Sequence, residues 1–206
     1  SGIDGQKEQA AGALKLLALT DENSVVIAKA GGIEPLVALV RSGIDGQKEQ
    51  AAGALAQTVW NRRFAMDPAH GIADIDIVYF DANDLSERAE ARHAARIRAA
   101  FSALPAWIDV KNQARVHLWY GDRFGFDIEA YDSVSEAITT FPTTATAFGI
   151  RPTGDGFECD APFGLADLLN AVVRPNKTQV SREAYENKVE RWKTLWPDLT
   201  VIGWDG

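Results

Sequence analysis

Two aspartates separated by a single residue, Asp74 and Asp76, stand in the stretch Ile72–Asp81 (Ile-Ala-Asp-Ile-Asp-Ile-Val-Tyr-Phe-Asp). The stretch is short, apolar and rich in β-branched and aromatic residues, which predicts a strand. Side chains alternate along a strand, so both carboxylates project from the same face. Neighbouring carboxylates repel each other and are costly to desolvate. A divalent cation offsets both effects, and Mg²⁺, or Mn²⁺ in its place, suits carboxylates acting together with substrate phosphates. Without an ion, the pair would be two solvated aspartates at a strand edge. A second polar set lies on Trp107–Trp119, where Ile108, Val110 and Val116 predict another strand. Regular alternation places Asp109, Gln113, Arg115 and His117 on one face, with Val110, Val116 and Leu118 on the other. A face that polar on an otherwise apolar strand must meet water or a ligand, and an imidazole there suits phosphate or a substrate carboxylate.

These strands need an element that presents a substrate to them. Upstream, Ala51-Ala52-Gly53-Ala54 is a turn of small residues leading into a helix-like stretch that ends Gln57-Thr58-Val59-Trp60-Asn61. Such a turn lets backbone N–H groups approach a triphosphate, and the helix N-terminus behind it favours anions. A small-residue turn, a helix and then a strand carrying Asp-x-Asp resembles the active-site signature of the polymerase-β-like nucleotidyltransferase superfamily.

From about Ala52 to Trp204 the chain further resembles a family of bacterial nucleotidyltransferase-like proteins of uncharacterised function. The matching blocks are 53–61, 70–81, 111–119, 142–147, 161–165 and 172–176. The resemblance implies a fold and a metal–nucleotide site. Asp74 and Asp76 would hold the metal, with Asp109 as third carboxylate, acting as base or second ligand. Gly53 and Ala54 would offer backbone N–H groups, and Gln57, Gln113, Arg115 and His117 would complete the surroundings of an NTP. The function implied is metal-dependent transfer of a nucleotidyl group from an NTP to an unknown acceptor.

At 206 residues the chain is long enough for one sizeable core, and its 46% apolar and 24% charged content is that of a globular protein. A single cysteine, Cys159, excludes an internal disulfide and suits a reducing, cytoplasmic setting. No apolar run approaches a membrane span and no signal peptide opens the sequence, so no membrane partner is expected. The net charge of −8 argues against nucleic acid as a partner, because phosphate binding calls for lysine and arginine.

The N-terminal part has a different character. Ser1–Leu14 recurs unchanged at Ser42–Leu55, a period of 41 residues that falls in the range of helical solenoids. With Gly31-Gly32 and Pro35 between the copies, Ser1 to about Leu55 resembles an armadillo repeat. One repeat is too little for a solenoid, which needs about three to bury a continuous core. Residues 1–51 are therefore expected to be an armadillo-like helical segment, and 52–206 the nucleotidyltransferase-like domain. The polar run Gly46–Gln50 stands where the family has an apolar strand. Perfect repetition favours a foreign fusion or a misassigned sequence over a natural fusion. Ala51–Leu55 serves both patterns, as mid-helix in one and as strand end and phosphate turn in the other.

The remaining segments complete an α/β (α+β) expectation: a nucleotidyltransferase-like mixed sheet flanked by helices, behind the armadillo-like segment. A helix with Asp84 and Glu87 as capping box should carry Leu85, Ala89, Ile97, Phe101 and Leu104 to Pro105. Gly121–Tyr131 reads as a loop and Ser133–Ile138 as a short helix. Thr143, Thr144 and Thr146 could meet ribose or phosphate. Ala147–Arg151 and Phe157–Ala161 should form a hairpin. Pro162–Val173 reads as a helix ending at Arg174, a candidate anion contact. Glu183–Trp196 is the last helix, with Tyr185, Val189, Trp192 and Trp196 as its core stripe, and Leu199–Trp204 is an edge strand. Two rival functions remain: a non-catalytic binding module on the same fold, or an armadillo-type protein-interaction module using the N-terminal segment.

Overall fold

The structure is a computed structural model that describes residues 50–51, 53–102, 106–153 and 156–206, so the expected armadillo-like helices lie outside the described residues. Five strands form one mixed sheet: β1 (Gln50–Ala51), β2 (Asp74–Tyr79), β3 (Trp107–Asn112), β4 (Gly149–Thr153) and β5 (Gly156–Asp160), in the order β3-β2-β1-β4-β5. Only β2 and β3 run parallel; β1 pairs antiparallel with both β2 and β4, and β4 with β5. The helices are α1 (Gly53–Arg63), α2 (Glu87–Ala100), α3 (His117–Phe124), α4 (Val134–Ile138), α5 (Ala166–Leu169) and α6 (Arg182–Leu195). A small parallel pair, β6 (Val172–Val173) and β7 (Thr200–Val201), closes the described chain.

The ambiguity at Ala51–Leu55 is thereby decided. Backbone pairing of Gln50 with Val78 and of Ala51 with Ile77 and Ile150 puts a strand at the centre of the sheet. The helix begins two residues later at Gly53. Strand is thus followed by helix, although Gln50 is polar.

Alternation on β2 and β3 divides the sheet into two faces. Ile75, Ile77 and Tyr79, with Ile108 and Val110, are buried beneath Ala94 and Ile97 of α2. Burying each such aliphatic side chain contributes about 1.5–3 kcal/mol. The opposite face carries Asp74, Asp76, Asp109 and Lys111. The larger core joins α1 to α6. Trp60 is fully buried, with Trp192 at 5.2 Å and Trp196 at 5.6 Å, both edge-on. Its Nε1 donates to Leu168 O, and Trp196 Nε1 donates to Asn61 Oδ1. Asn61 in turn donates to the carbonyls of Pro68 and His70. This knot fixes how α6 lies against α1.

Several local expectations shift. Ser86 caps α2, its Oγ accepting from Ala89 N, while Asp84 accepts from Ser86 N one turn earlier. The expected Asp84–Glu87 capping box is absent because serine at 86 is itself a good cap. Gly121 belongs to α3 rather than to a loop. The predicted helix over Pro162–Val173 is only Ala166–Leu169, since Ala171 takes a left-handed φ of 55° and the chain continues as β6. The hairpin pairs Gly149 with Asp160 and Arg151 with Glu158, as expected within two residues.

Candidate functional site

The polar sheet face is the floor of a cleft of about 980 Å³. Asp74, Asp76 and Asp109 all line it, as do Gly53, Gln57, Gln113 and Arg115. Parallel register sets Asp76 beside Asp109 and Asp74 beside Trp107, so the two strands bring their carboxylates together laterally. Asp76 is the focus. Burial at the cleft floor raises its pKa, Asp74 adds to this and Asp109 does so more weakly, while Lys188 and Lys111 pull it down. Solvent still reaches Asp76 along the open cleft. Its Oδ2 lies so near Gly53 that a Cβ there would stand 2.8 Å away. The glycine is therefore a requirement of close approach between the start of α1 and the carboxylate.

Asp109 is held differently. Its Oδ1 lies 3.4 Å from Lys111 Nζ and 3.8 Å from Arg98, whose Nε donates to Ile108 O. Among the described residues, no group of three or more His, Cys, Asp or Glu side chains is arranged to hold a metal ion. Asp74 and Asp76 offer hard oxygens under mutual repulsion, a repulsion that a hard cation between them would relieve.

The predicted polar face of Asp109–His117 holds only in part. The strand stops at Asn112, which is 1% exposed and forms a hub of hydrogen bonds. Its Oδ1 accepts from Asp81 N and Ala114 N, its Nδ2 donates to Asp81 O, and its backbone N–H donates to Glu90 Oε2. Asn112 thereby caps a 3₁₀ turn, Gln113–Arg115, and strand alternation no longer applies beyond it. Gln113 and Arg115 reach the cleft from this turn. His117 does not line the cleft; it opens α3. The Arg115 guanidinium is largely committed, donating to Glu90 Oε1 at 2.9 Å and to Leu85 O.

Other candidates are placed as follows. Ala54 packs its side chain into the core under α2 and does not line the cleft; only its backbone N–H, unpartnered by position in a first helical turn, suits the expected role. Gln57 does line it, and among the described residues its Oε1 is buried without a hydrogen-bond partner. Thr143 and Thr146 share a hydrogen bond, Thr144 donates to Asp167, and Arg174 pairs with the same Asp167, so of these only Thr146 borders the cleft.

The opposite wall holds what sequence reasoning missed. Ala184, Asn187, Lys188 and Arg191 present one face of α6 to the cleft, and its cap residue Ser181 lines it as well. Lys188 is half-buried over the Trp192 ring at 4.8 Å. Burial lowers its pKa and Arg191 lowers it further, whereas Asp76 and Asp74 raise it. The signal was present as polar positions at helical spacing beside the Tyr185–Trp196 stripe. Reading that stripe as plain core left its polar flank unexamined.

Comparison with known proteins bears directly on this arrangement. Residues 49–201 match a family model described as nucleotidyltransferase. The chain belongs to this nucleotidyltransferase family. Residues 20–57 also match the armadillo/β-catenin-like repeat, overlapping the first match over 49–57, which includes β1 and the first residues of α1. A search of curated proteins finds no match. An NMR structure described as revealing a CCA-adding enzyme head domain is similar at 25% identity. The similarity covers 83% of this chain and 88% of that one, with a TM-score of 0.64. Family membership supports a nucleotidyltransferase-like function with a nucleotide as substrate. Among the described residues no helix is long and apolar enough to cross a membrane.

Proposed function

We propose that this cleft binds an NTP with a divalent cation and transfers its nucleotidyl group to a hydroxyl or phosphate acceptor. The observation that carries the reading is the charge arrangement across the cleft: Asp74 and Asp76 on β2 face the start of α1, with Lys188 and Arg191 on the opposing wall. A polyphosphate between them would be met by cations from α6 and by backbone N–H groups at Gly53 and Ala54. Asp74 and Asp76 would hold Mg²⁺ or Mn²⁺, which supplies neutralisation of phosphate charge. Asp109 assists as base or as a further oxygen ligand. An acceptor oxygen bonds to the α-phosphorus, the bond from that phosphorus to the bridging β-oxygen breaks, pyrophosphate leaves, and the acceptor proton passes to the base. Catalysis rests mostly on positioning and charge stabilisation.

The test is thermal. Mg²⁺ with an NTP should raise the melting temperature by mass action, and Asp74→Asn with Asp76→Asn should abolish that rise while the protein stays folded. An equal rise in the double variant sinks the assignment. A second reading, a nucleotide-binding module without turnover, draws support from the pairing of Asp109 with Lys111 and Arg98. Pyrophosphate release on addition of hydroxyl-bearing acceptors separates the two readings.

A further inference from the structure

At the far end of the cleft, beyond the C-terminal end of β3, its chemistry changes from charged to aromatic. Trp119, Tyr120, Phe124 and Phe126 all line it there, with Arg123 beside them. Tyr120 lies 4.5 Å from Phe124 and 5.3 Å from Phe126, ring centre to ring centre. Arg123 stands over the Phe124 ring at 5.6 Å. Phe124 and Phe126 nonetheless remain 47% and 43% exposed, apolar surface turned to the cleft rather than into a core.

The backbone is shaped to make this cluster. Gly125 ends α3 in the left-handed region at φ 83°, which lets the chain turn back along the helix. Gly121 allows that return, because a Cβ there would collide with Asp127 Oδ1. Phe126 is carried onto Tyr120 as a result. The aspartates and the aromatic side chains line one continuous cleft.

We infer that the α3 aromatic cluster is a stacking subsite for a nucleobase. Every base presents a π-face, an aromatic wall accepts it without reading its edge, and Arg123 can lie over the same ring system. The inference rests on the triphosphate reading above. The base has two sources, the NTP itself or a nucleoside acceptor.

The experiment uses the full chain and its Phe124→Ala and Phe126→Ala variants, both at exposed positions that leave the core intact. Binding of the four ribonucleoside triphosphates, of tripolyphosphate and of the four nucleosides, each with Mg²⁺, is followed by isothermal titration calorimetry. If the NTP base occupies the subsite, at least one NTP binds more tightly than tripolyphosphate. The variants then weaken that NTP about fivefold or more and leave tripolyphosphate within about twofold. If the acceptor base occupies it, the variants instead weaken nucleoside binding measured in saturating tripolyphosphate. Should no NTP exceed tripolyphosphate and no nucleoside respond to the variants, the subsite is refuted while the triphosphate reading stands. If tripolyphosphate does not bind the unaltered protein, the triphosphate reading fails, and nucleosides titrated alone against the same variants still report on the aromatic wall.

Discussion

Replacing Gly53 by alanine separates stability from binding at one position. Gly53 is the first residue of α1 and has no left-handed backbone requirement, so alanine suits its conformation. Removing glycine from the unfolded ensemble stabilises by about 0.4–1 kcal/mol. The new Cβ would stand 2.8 Å from Asp76 Oδ2, well inside ordinary contact, so the carboxylate must rotate away. An off-rotamer side chain costs about 0.5–1.5 kcal/mol. The two effects nearly cancel, and the melting temperature of Gly53→Ala should stay within about 2–4 °C of the parent for a chain of this size. Binding should respond far more, because the displaced carboxylate is one of the two proposed to hold the metal. At a hundredfold excess over Kd, a ligand raises stability by about 2.7 kcal/mol. A tenfold loss of affinity removes about 1.4 kcal/mol of that. Differential scanning fluorimetry with and without Mg²⁺ and NTP reads both quantities. An alanine variant that keeps the full ligand-induced shift would show that the approach of Asp76 to α1 has no part in binding.

Three further outcomes follow from the same geometry. Asp76→Asn should stabilise the ligand-free protein at neutral pH, since the raised pKa means the folded state disfavours the charged form. The native state then holds the proton more tightly, stability falls as pH rises from the ordinary 3.8 through the folded pKa, and the variant's advantage should vanish below that window. Urea unfolding at neutral and acid pH checks it; an equal advantage at both would contradict the burial argument. Lys188→Met should weaken tripolyphosphate binding about tenfold or more and flatten its salt dependence, measured by titration at two ionic strengths, with no loss of stability because a half-buried cation is removed. Glu90→Ala should destabilise by about 3 kcal/mol or more, leaving Arg115 and the Asn112 N–H without their buried partner. A loss below about 1 kcal/mol in urea unfolding would show that the network is dispensable.

What the sequence determined by itself is local and periodic. Asp74 and Asp76 share a face because strand alternation demands it, and Ile75 between them turns to the other. The helix starting at the small residues around Gly53 and the α6 core stripe were legible for the same reason, since composition and spacing act within a few residues. Strand alternation could not be carried past Asn112, whose four hydrogen bonds reach Asp81, Glu90 and Ala114 and end the strand. That single residue sends Gln113 and Arg115 into the cleft and leaves His117 out of it. Nor could spacing tell that Gln50 and Ala51 fill the middle of the sheet, since their pairing partners lie far along the chain at Ile77, Val78 and Ile150. The opposing wall was the largest omission. Lys188 lies more than a hundred residues from Asp76 in the sequence, and only the packing of Trp60 against Trp192 and Trp196 turns its face of α6 toward the carboxylates. Charge complementarity across a cleft belongs to two distant segments together, so tertiary packing alone could decide it.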